Sequence, residues 1–179
     1  YQLLSLHGQN KDALAKAQIG AWEYDIIGPW YKCNMTDIMA AIGLRQLDRY
    51  QKLLERRKQV LEKFDSICDE LDISHMVHHT AYMDSSNHLY LIRIPGFTVE
   101  QRNEVIEKLA KNGIATNVHY KPMPMMTAYK NLGWSIKNFP NTYDYYHNLI
   151  SLPLHTLLSN EDVNYICENL KSIIKEVRE

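Results

Sequence analysis

Residues 30–43 read WYKCNMTDIMAAIG, and here a cluster of aromatic and polar side chains leads directly into an apolar run. From that run to Leu71 the apolar residues recur at helical spacing, which predicts a long helix over 36–71. Gly43 and Asp48 mark positions at which such a helix would break or kink. The charged residues of this segment lie opposite the apolar stripe, so we expect them to face solvent.

The composition is that of a soluble globular domain. Of the 179 residues 45% are hydrophobic and 23% are charged, with a formal net charge of -1. This balance gives no broad electrostatic attraction for nucleic acid or an anionic membrane, and no apolar run approaches the ~20 residues of a membrane span. The three cysteines are widely spaced, which suggests neither a disulfide framework nor a zinc site. We therefore expect a reducing, cytoplasmic compartment.

Strands are predicted only after the long helix. Residues 87–95, NHLYLIRIP, have the composition and length of a strand, and residues 71–78 are a weaker candidate. Residues 114–120, IATNVHY, are expected to form a third strand. The predicted fold class is therefore α+β: a small antiparallel-type sheet with packed helices, joined to a long connecting helix.

Further helices are predicted between and after these strands. The residues TVEQ at 98–101 form a capping-box pattern at the start of one helix, and Gly113 is placed to end it. An aromatic helix is expected to follow with Asn141 or Thr142 as its cap. The residues SNED at 159–162 open the last helix, which is amphipathic.

A group of histidines suggests a metal site at first sight: His75, His78, His79 and His88. In a strand, however, residues three apart point to opposite faces, which separates His75 from His78. No carboxylate or cysteine stands at ligand spacing, so the sequence predicts no metal site. The cysteines fall on helical faces or in a turn and are interpreted as inert thiols.

Two short segments could bind a small molecule. In HYKPMPMM (119–126) a predicted strand ends in two polar residues before a proline-stiffened turn, a common location for binding sites, although a packed turn is an equally simple explanation. In YKCNMTDI (31–38) Asn34 or Thr36 can cap the helix. Alternatively, the Asn34 amide points outward to a phosphate near the positive end of the helix.

Motifs in a fixed order resemble the C-terminal half of the DegT/DnrJ/StrS family of pyridoxal-phosphate sugar aminotransferases. They are LHGQNKDA (6–13), YKCNMTDIMAAIGLRQLDR (31–49), NHLYLIRI (87–94), GIATNVHYKP (113–122) and SLPLHTLLSNEDV (151–163). The resemblance implies the C-terminal domain of a fold-type I aminotransferase. It also implies pyridoxal 5'-phosphate as cofactor, a keto-sugar nucleotide as substrate and glutamate as the usual amino donor.

The resemblance assigns roles to particular residues. In the family the junction that matches 31–38 reaches across a homodimer interface, and the residue that matches Asn34 binds the cofactor phosphate of the neighbouring subunit. The active sites are thus shared across the dimer. Substrate-binding positions implied by the resemblance are Tyr31, Lys32, His88, His119 and Tyr120.

The resemblance also points to an absence. In the family the Schiff-base lysine and the carboxylate on the pyridinium nitrogen come from a large domain upstream of the LHGQ segment, and neither motif occurs here. Lys32 and Lys121 are the lysines near the expected site, and neither has the right flanking sequence. The first residue is Tyr1 rather than Met. We therefore expect a fragment that is inactive alone. Its expected parts are a connecting segment from the missing cofactor-binding domain (1–34), long interface and connecting helices (35–71) and the small α+β domain (72–179).

Other classes of function were considered. Helix 36–71 could be the coiled-coil arm of an interaction module without catalytic activity, although its apolar stripe does not keep a strict seven-residue repeat. The strand within 87–94 could present exposed aromatic residues to RNA, but the net charge of -1 and the lack of a basic stripe argue against it.

Overall fold

The computed structural model describes residues 1–10 and 24–179. It divides into two compact units, which we describe separately: the N-terminal unit, Tyr1–Tyr50, and the C-terminal unit, Gln51–Glu179. The last three residues of the LHGQNKDA motif, 11–13, lie outside the described residues.

The elements follow in chain order. The helices are α1 (Gln2–Ser5), α2 (Asp37–Leu71), α3 (Val99–Lys111), α4 (Thr127–Asn131), α5 (Pro140–Tyr146) and α6 (Asn160–Arg178). The strands are β1 (Ser74–His75), β2 (His79–Thr80), β3 (Met83–Asp84), β4 (Tyr90–Arg93) and β5 (Leu149–Leu152). Short 3-10 turns cover Met123–Met125 and Ile136–Asn138.

The C-terminal unit is built on a small antiparallel sheet. Its strand order is β1–β4–β5, and both neighbouring pairs are antiparallel. Strands β2 and β3 form a separate hairpin. The expected α+β class with a small antiparallel sheet is therefore confirmed.

The core of the C-terminal unit lies between this sheet and its helices. The second half of α2, α3 and α6 all contribute buried apolar side chains, and Phe64 of α2 contacts Tyr90 of β4 with ring centroids 5.1 Å apart. Both rings are fully buried. Because each buried large apolar side chain contributes about 1.5–3 kcal/mol, these contacts fix the sheet against the helices. The buried half of α2 is thus part of a core and not a free coiled-coil arm.

Helix boundaries follow the local signals in the sequence. Thr98 and Gln101 form the expected capping box, and Gly113 has the positive φ of +74° that the end of this helix requires. Ser159 and Asp162 form a second capping box at the start of α6. These two helix starts were predicted correctly because the capping hydrogen bonds involve residues only three apart.

Gly43 and Asp48 were expected to mark a break or kink, but helix α2 is continuous through both, so the expectation of a break at either position was wrong. A single glycine costs a helix only about 1 kcal/mol relative to alanine, which thirty-five residues of helix can absorb. Asp48 pairs with Arg45 one turn earlier, 3.0 Å away, so its side chain supports the helix instead of ending it.

Two expectations for the second half of the chain were also wrong. Residues 114–120 form no strand: Asn117 makes one isolated bridge to Ser151, and the chain then turns. The third strand of the sheet is β5, four consecutive buried residues without alternation. Helix α5 begins at Pro140 with Phe139 as N-cap and no side-chain capping bond, so neither Asn141 nor Thr142 caps it.

The rival interpretation as an RNA-binding sheet loses its basis because Tyr90, the aromatic residue of β4, is completely buried. Among the residues that the structure describes, no helix is long and apolar enough to cross a membrane.

Candidate functional site

The segment before α2 is held by backbone pairing within the N-terminal unit. The His7 amide donates to the Tyr31 carbonyl over 2.8 Å, and the Cys33 amide donates to the Ser5 carbonyl over 2.9 Å. These bonds fix the backbone on both sides of Lys32 and leave the Tyr31 side chain 75% exposed. The backbone of residues 31–34 is therefore held by the fold itself and does not depend on a bound ligand.

A glycine makes this pairing possible. Gly8 has φ +73°, and a Cβ atom added there would lie 2.1 Å from the carbonyl oxygen of Gly28. The Ile27 amide donates to the Gly8 carbonyl over 2.9 Å. Only a residue without a side chain allows both the backbone angle and this close approach.

Asn34 and Thr36 have different roles at the start of α2. The Thr36 hydroxyl accepts a hydrogen bond from the Met39 amide over 3.4 Å, and its carbonyl accepts from the Ala40 amide over 2.9 Å. Asn34 instead accepts, through Oδ1, a bond from Lys32 Nζ over 2.5 Å. Thr36 therefore caps the helix, and Asn34 is available for another purpose.

A cavity of about 510 Å3 lies beside Asn34 and is lined by residues of the N-terminal unit: Leu3, Ser5, Leu6, Gln9, Asn10, Ile27 and Asn34. The Nε2 atom of Gln9 is buried and has no hydrogen-bond partner among the described residues. The Asn34 amide and the Lys32 ammonium give this region nitrogen donors and a positive charge. This donor set fits an anionic group such as a phosphate.

In the C-terminal unit the side chain of His119 is held by two polar neighbours. Its Nδ1 atom lies 2.8 Å from the hydroxyl of Ser151 on β5, and its Nε2 atom lies 3.4 Å from Nδ2 of Asn117. The ring also contacts that of Tyr120 edge to face, with centroids 4.7 Å apart. His119 and Tyr120 are thus brought together, with Tyr120 72% exposed.

These two residues line a cavity of about 430 Å3 within the C-terminal unit. Its lining residues are His119, Tyr120, Lys121, Pro122, Asn141, Thr142, Tyr145, Tyr146 and Leu149. Aromatic rings, a single ammonium group and side-chain hydroxyl and amide groups therefore face the same space. Such a cavity can bind a molecule that combines an anionic group with polar and flat apolar parts.

Two arginines hold the aromatic wall of this cavity. Arg93 of β4 lies over the ring of Tyr145, 5.0 Å from its centroid, and pairs with Asp144 at 3.0 Å. The buried Arg102 of α3 lies 5.0 Å from the ring centroid of Tyr146 and donates to the Leu149 carbonyl over 3.2 Å. The positions of these rings are therefore set by the sheet and by α3.

The remaining residues singled out from the sequence lie elsewhere. His88 is exposed and is not among the residues that line the cavity beside His119. Within the described ranges, 1–10 and 24–179, no group of three or more metal-ligating side chains occurs. His78 is buried, and that burial lowers its pKa.

Sequence reasoning missed Gln9, Asn117, Arg102 and Ser151. Their roles depend on partners distant in the chain, as with Ser151, which lies thirty-two positions from His119. Arg93 did carry a signal, because a charged residue inside an apolar strand needs a specific partner.

The α+β fold, a small antiparallel sheet with packed helices, is similar to part of known fold-type I sugar aminotransferases. Residues 1–171 match the DegT/DnrJ/EryC1/StrS aminotransferase family, and the chain belongs to that family. The resemblance inferred from the sequence motifs is confirmed.

Similar proteins come from several bacteria. The spore coat polysaccharide biosynthesis protein SpsC of Bacillus subtilis is 33% identical over 97% of this chain and 46% of its own length. The UDP-4-amino-4,6-dideoxy-N-acetyl-beta-L-altrosamine transaminase of Campylobacter jejuni is 29% identical over 99% of this chain and 45% of its own. The chain therefore spans a little under half the length of these relatives.

Solved structures of similar proteins also match nearly the whole of this chain. The candidate sugar aminotransferase Spr1654 of Streptococcus pneumoniae superposes in its PMP form with a TM-score of 0.86 and 56% identity, over 98% of this chain and 44% of that one. Its PLP form gives a TM-score of 0.83 and 52% identity, over 98% and 43% of the two chains. A PLP form among the structural relatives confirms pyridoxal phosphate as the cofactor of the family.

Proposed function

We propose that this chain is the C-terminal portion of an aminotransferase that uses pyridoxal phosphate to move an amino group, usually from glutamate, to a keto-sugar nucleotide. Membership of the family carries this proposal. The substrate named for the Campylobacter jejuni relative, a UDP-linked amino sugar, supports a nucleotide sugar as the class of substrate. A role in cell-surface polysaccharide synthesis is supported by the name of SpsC.

The cofactor phosphate is assigned to the region at the start of α2. Asn34 and Lys32 form a hydrogen-bonded pair there, and Gln9 and Asn34 line the adjoining cavity. Asn34 would donate its amide hydrogens and Lys32 its charge to the phosphate oxygens. When bound, pyridoxal phosphate supplies the electron sink that amino-group transfer needs.

The nucleotide sugar is assigned to the cavity beside His119. Lys121 provides a positive charge for a phosphate of the nucleotide, and the exposed ring of Tyr120 provides a surface for a sugar or base. His119 contributes a polar contact from the same wall. Lys32, which the resemblance assigned to substrate, is assigned here to the cofactor phosphate instead. Tyr31 and His88 remain proposed substrate contacts, and both side chains are exposed.

A homodimer with shared active sites is supported by the first half of α2. Its apolar side chains are exposed in the single chain: Ile38, Met39, Ile42, Leu44, Leu47 and Tyr50, with Met35 exposed just before the helix. A soluble protein seldom leaves such a large apolar surface uncovered. We place this surface against the neighbouring subunit, so that Asn34 serves a cofactor phosphate held there.

The chain alone is proposed to be inactive. Transamination needs a lysine bonded to the cofactor and a carboxylate partner for its ring nitrogen, and the motifs that carry them in the family have no counterpart in these 179 residues. The large domain of the family would supply both. We also place the enzyme in the cytoplasm, where free thiols such as those of Cys33, Cys68 and Cys167 persist.

Spectroscopy of the complete gene product that contains this chain tests the proposal. Glutamate should convert the absorbance of the bound cofactor from its pyridoxal to its pyridoxamine form, and a UDP-linked 4-keto sugar should reverse the change. A protein that binds the cofactor but is not converted by glutamate or any other amino acid would overturn the proposed activity.

A further inference from the structure

The imidazole of His119 is held in a defined chemical form. Oδ1 of Asn117 accepts a hydrogen bond from the Val118 amide over 2.7 Å, and this fixes which end of the Asn117 side chain is the oxygen. The other end, Nδ2, lies 3.4 Å from Nε2 of His119. Because an amide nitrogen only donates, Nε2 must offer a lone pair.

The second ring nitrogen then has to carry the proton. A neutral imidazole with a lone pair on Nε2 is protonated on Nδ1, and Nδ1 lies 2.8 Å from the hydroxyl oxygen of Ser151. Ser151 is 3% exposed, and its backbone exchanges two hydrogen bonds with that of Asn117, at 2.7 and 3.1 Å. The Asn117 amide therefore selects the tautomer, the Ser151 hydroxyl accepts the resulting Nδ1–H, and one pair of backbone bonds holds both residues beside the ring.

The two hydrogen bonds of the ring differ in strength. The bond to Ser151 is short and partly buried, whereas the bond from Asn117 is long and exposed. A distance of 3.4 Å lies beyond the usual range of 2.7–3.2 Å for a nitrogen donor, so a better-placed donor can replace Asn117 at Nε2.

We propose that Ser151 and Asn117 are positioning residues, which hold His119 as its Nδ1–H tautomer so that Nε2 accepts a hydrogen bond from the ligand. The inference rests on the proposed function in one respect: the ligand in the adjoining cavity is taken to be a nucleotide sugar, whose hydroxyl groups are donors of the required kind. A carboxylate or a bare keto oxygen has no proton to donate and would not be recognised at this atom.

Long-range proton–nitrogen correlation spectra of the full chain, labelled in its histidines, measure the tautomer directly and without any ligand. The His119→Gln variant identifies the signals of His119 among the eight histidines. In the unmodified chain Nδ1 should give a protonated, pyrrole-type shift and Nε2 an unprotonated, pyridine-type shift. The reverse pattern would overturn the proposal, although it would leave the proposed function untouched.

Matched variants separate positioning from a general effect on folding. Asn117→Asp replaces the donor at Nε2 by an acceptor, so it should move the proton toward Nε2. Ser151→Ala removes a hydroxyl that can accept from or donate to Nδ1, so it should loosen the ring without reversing the tautomer. Thr116→Val removes a buried hydroxyl that has no hydrogen-bond partner within the described part of the chain, and it should leave the shifts of His119 unchanged. An unchanged tautomer in Asn117→Asp would refute the role of Asn117.

Kinetics of the complete enzyme then test the contact with the ligand. Ser151→Ala should raise KM for the nucleotide sugar about tenfold, the equivalent of about 1.4 kcal/mol, and should leave the half-reaction with glutamate unchanged. If Asn117→Asp changes the tautomer while KM for the nucleotide sugar stays the same, Nε2 of His119 does not bind the ligand and that part of the proposal fails.

Discussion

Lys32 donates a hydrogen bond from Nζ to Oδ1 of Asn34 over 2.5 Å, so the two side chains form one donor pair at the start of α2. The bond orients the Asn34 amide with its nitrogen away from Lys32. Asn34 makes no capping bond to any residue that the structure describes, whereas the Thr36 hydroxyl accepts a hydrogen bond from the Met39 amide at the start of α2. Asn34 and Thr36 could each have capped α2, but only Thr36 does so, and substitutions at the two positions should therefore have different effects.

Replacing Asn34 or Thr36 should have opposite consequences. In the complete enzyme Asn34→Ala should weaken the binding of pyridoxal phosphate by roughly 1–3 kcal/mol, the value of a hydrogen bond to a charged group. Thr36→Ala should instead lower the free energy of unfolding by roughly 1 kcal/mol through the lost cap. Cofactor titration and urea unfolding of both variants give the comparison. An Asn34→Ala enzyme that binds the cofactor normally but unfolds early would mean that Asn34 is only structural.

The chain by itself should form no specific adduct with the cofactor. Lys32 is already hydrogen-bonded to Asn34, and Lys121 lies in the cavity assigned to the nucleotide sugar. Pyridoxal phosphate followed by borohydride should therefore label the lysines weakly and without preference, as peptide mapping by mass spectrometry would reveal. Stoichiometric labelling of either lysine would contradict the proposal that the reactive lysine belongs to another part of the enzyme.

Local signals predicted much of the fold, whereas contacts between distant residues decided the rest. The two capping boxes were predicted because their hydrogen bonds lie within one helical turn. Strand β5 was missed because its four buried residues, LISL, show no alternation and could equally belong to a buried helix. The strand expected at 114–120 failed because the side chain of Asn117 bonds to the next backbone amide, which competes with regular pairing.

The candidate site also contains residues that local motifs predict and residues that only distant contacts bring there. Asn34, His119 and Tyr120 were proposed as site residues from motifs, which preserve the order of residues along the chain. Ser151, which contacts His119, could not be predicted from spacing, because the fold alone brings it there.

Gly8 should be far less tolerant of substitution than Gly113, although their φ angles are +73° and +74°. In Gly8→Ala the new Cβ would meet the Gly28 carbonyl oxygen, whereas no atom lies within 4 Å of a Cβ at Gly113. Gly113→Ala should cost only the strain of a left-handed backbone, about 1–2 kcal/mol.

Hydrogen exchange separates these two effects locally. Gly8→Ala should remove the protection of the His7 and Ile27 amides, and Gly113→Ala should retain the protection of the Ile114 amide, which donates to Leu109 over 2.9 Å. Equal behaviour of the two variants would show that the close approach to Gly28 is not maintained in solution.

Stability should decline at alkaline pH because of Cys68. This thiol is fully buried, and burial raises its pKa from 9.0 to about 12. The pKa of Cys68 is higher in the folded state than in the unfolded chain. The contribution of the protonated thiol to the free energy of unfolding is therefore fully present below about pH 9 and is lost as the pH rises toward 12. Burial also raises the pKa of Cys167 and of Tyr90, which act in the same direction.

Urea unfolding between neutral pH and about pH 12 gives the slope of stability against pH. Cys68→Ala should flatten that slope, whereas Cys33→Ala, which replaces an exposed thiol, should leave it as it is. If the original chain and Cys68→Ala have identical slopes, the pKa of Cys68 is not raised by folding.

Separate measurement of the two half-reactions in the complete enzyme tests the account most directly, because the cavity beside His119 is assigned to the nucleotide sugar alone. The His119→Ala variant should show a KM for the nucleotide sugar raised by about tenfold, the equivalent of about 1.4 kcal/mol. Its half-reaction with glutamate, followed by stopped-flow absorbance of the cofactor, should proceed at the original rate. If the glutamate half-reaction slows as much as the sugar half-reaction, His119 does not belong to the nucleotide-sugar site and the central assignment is contradicted.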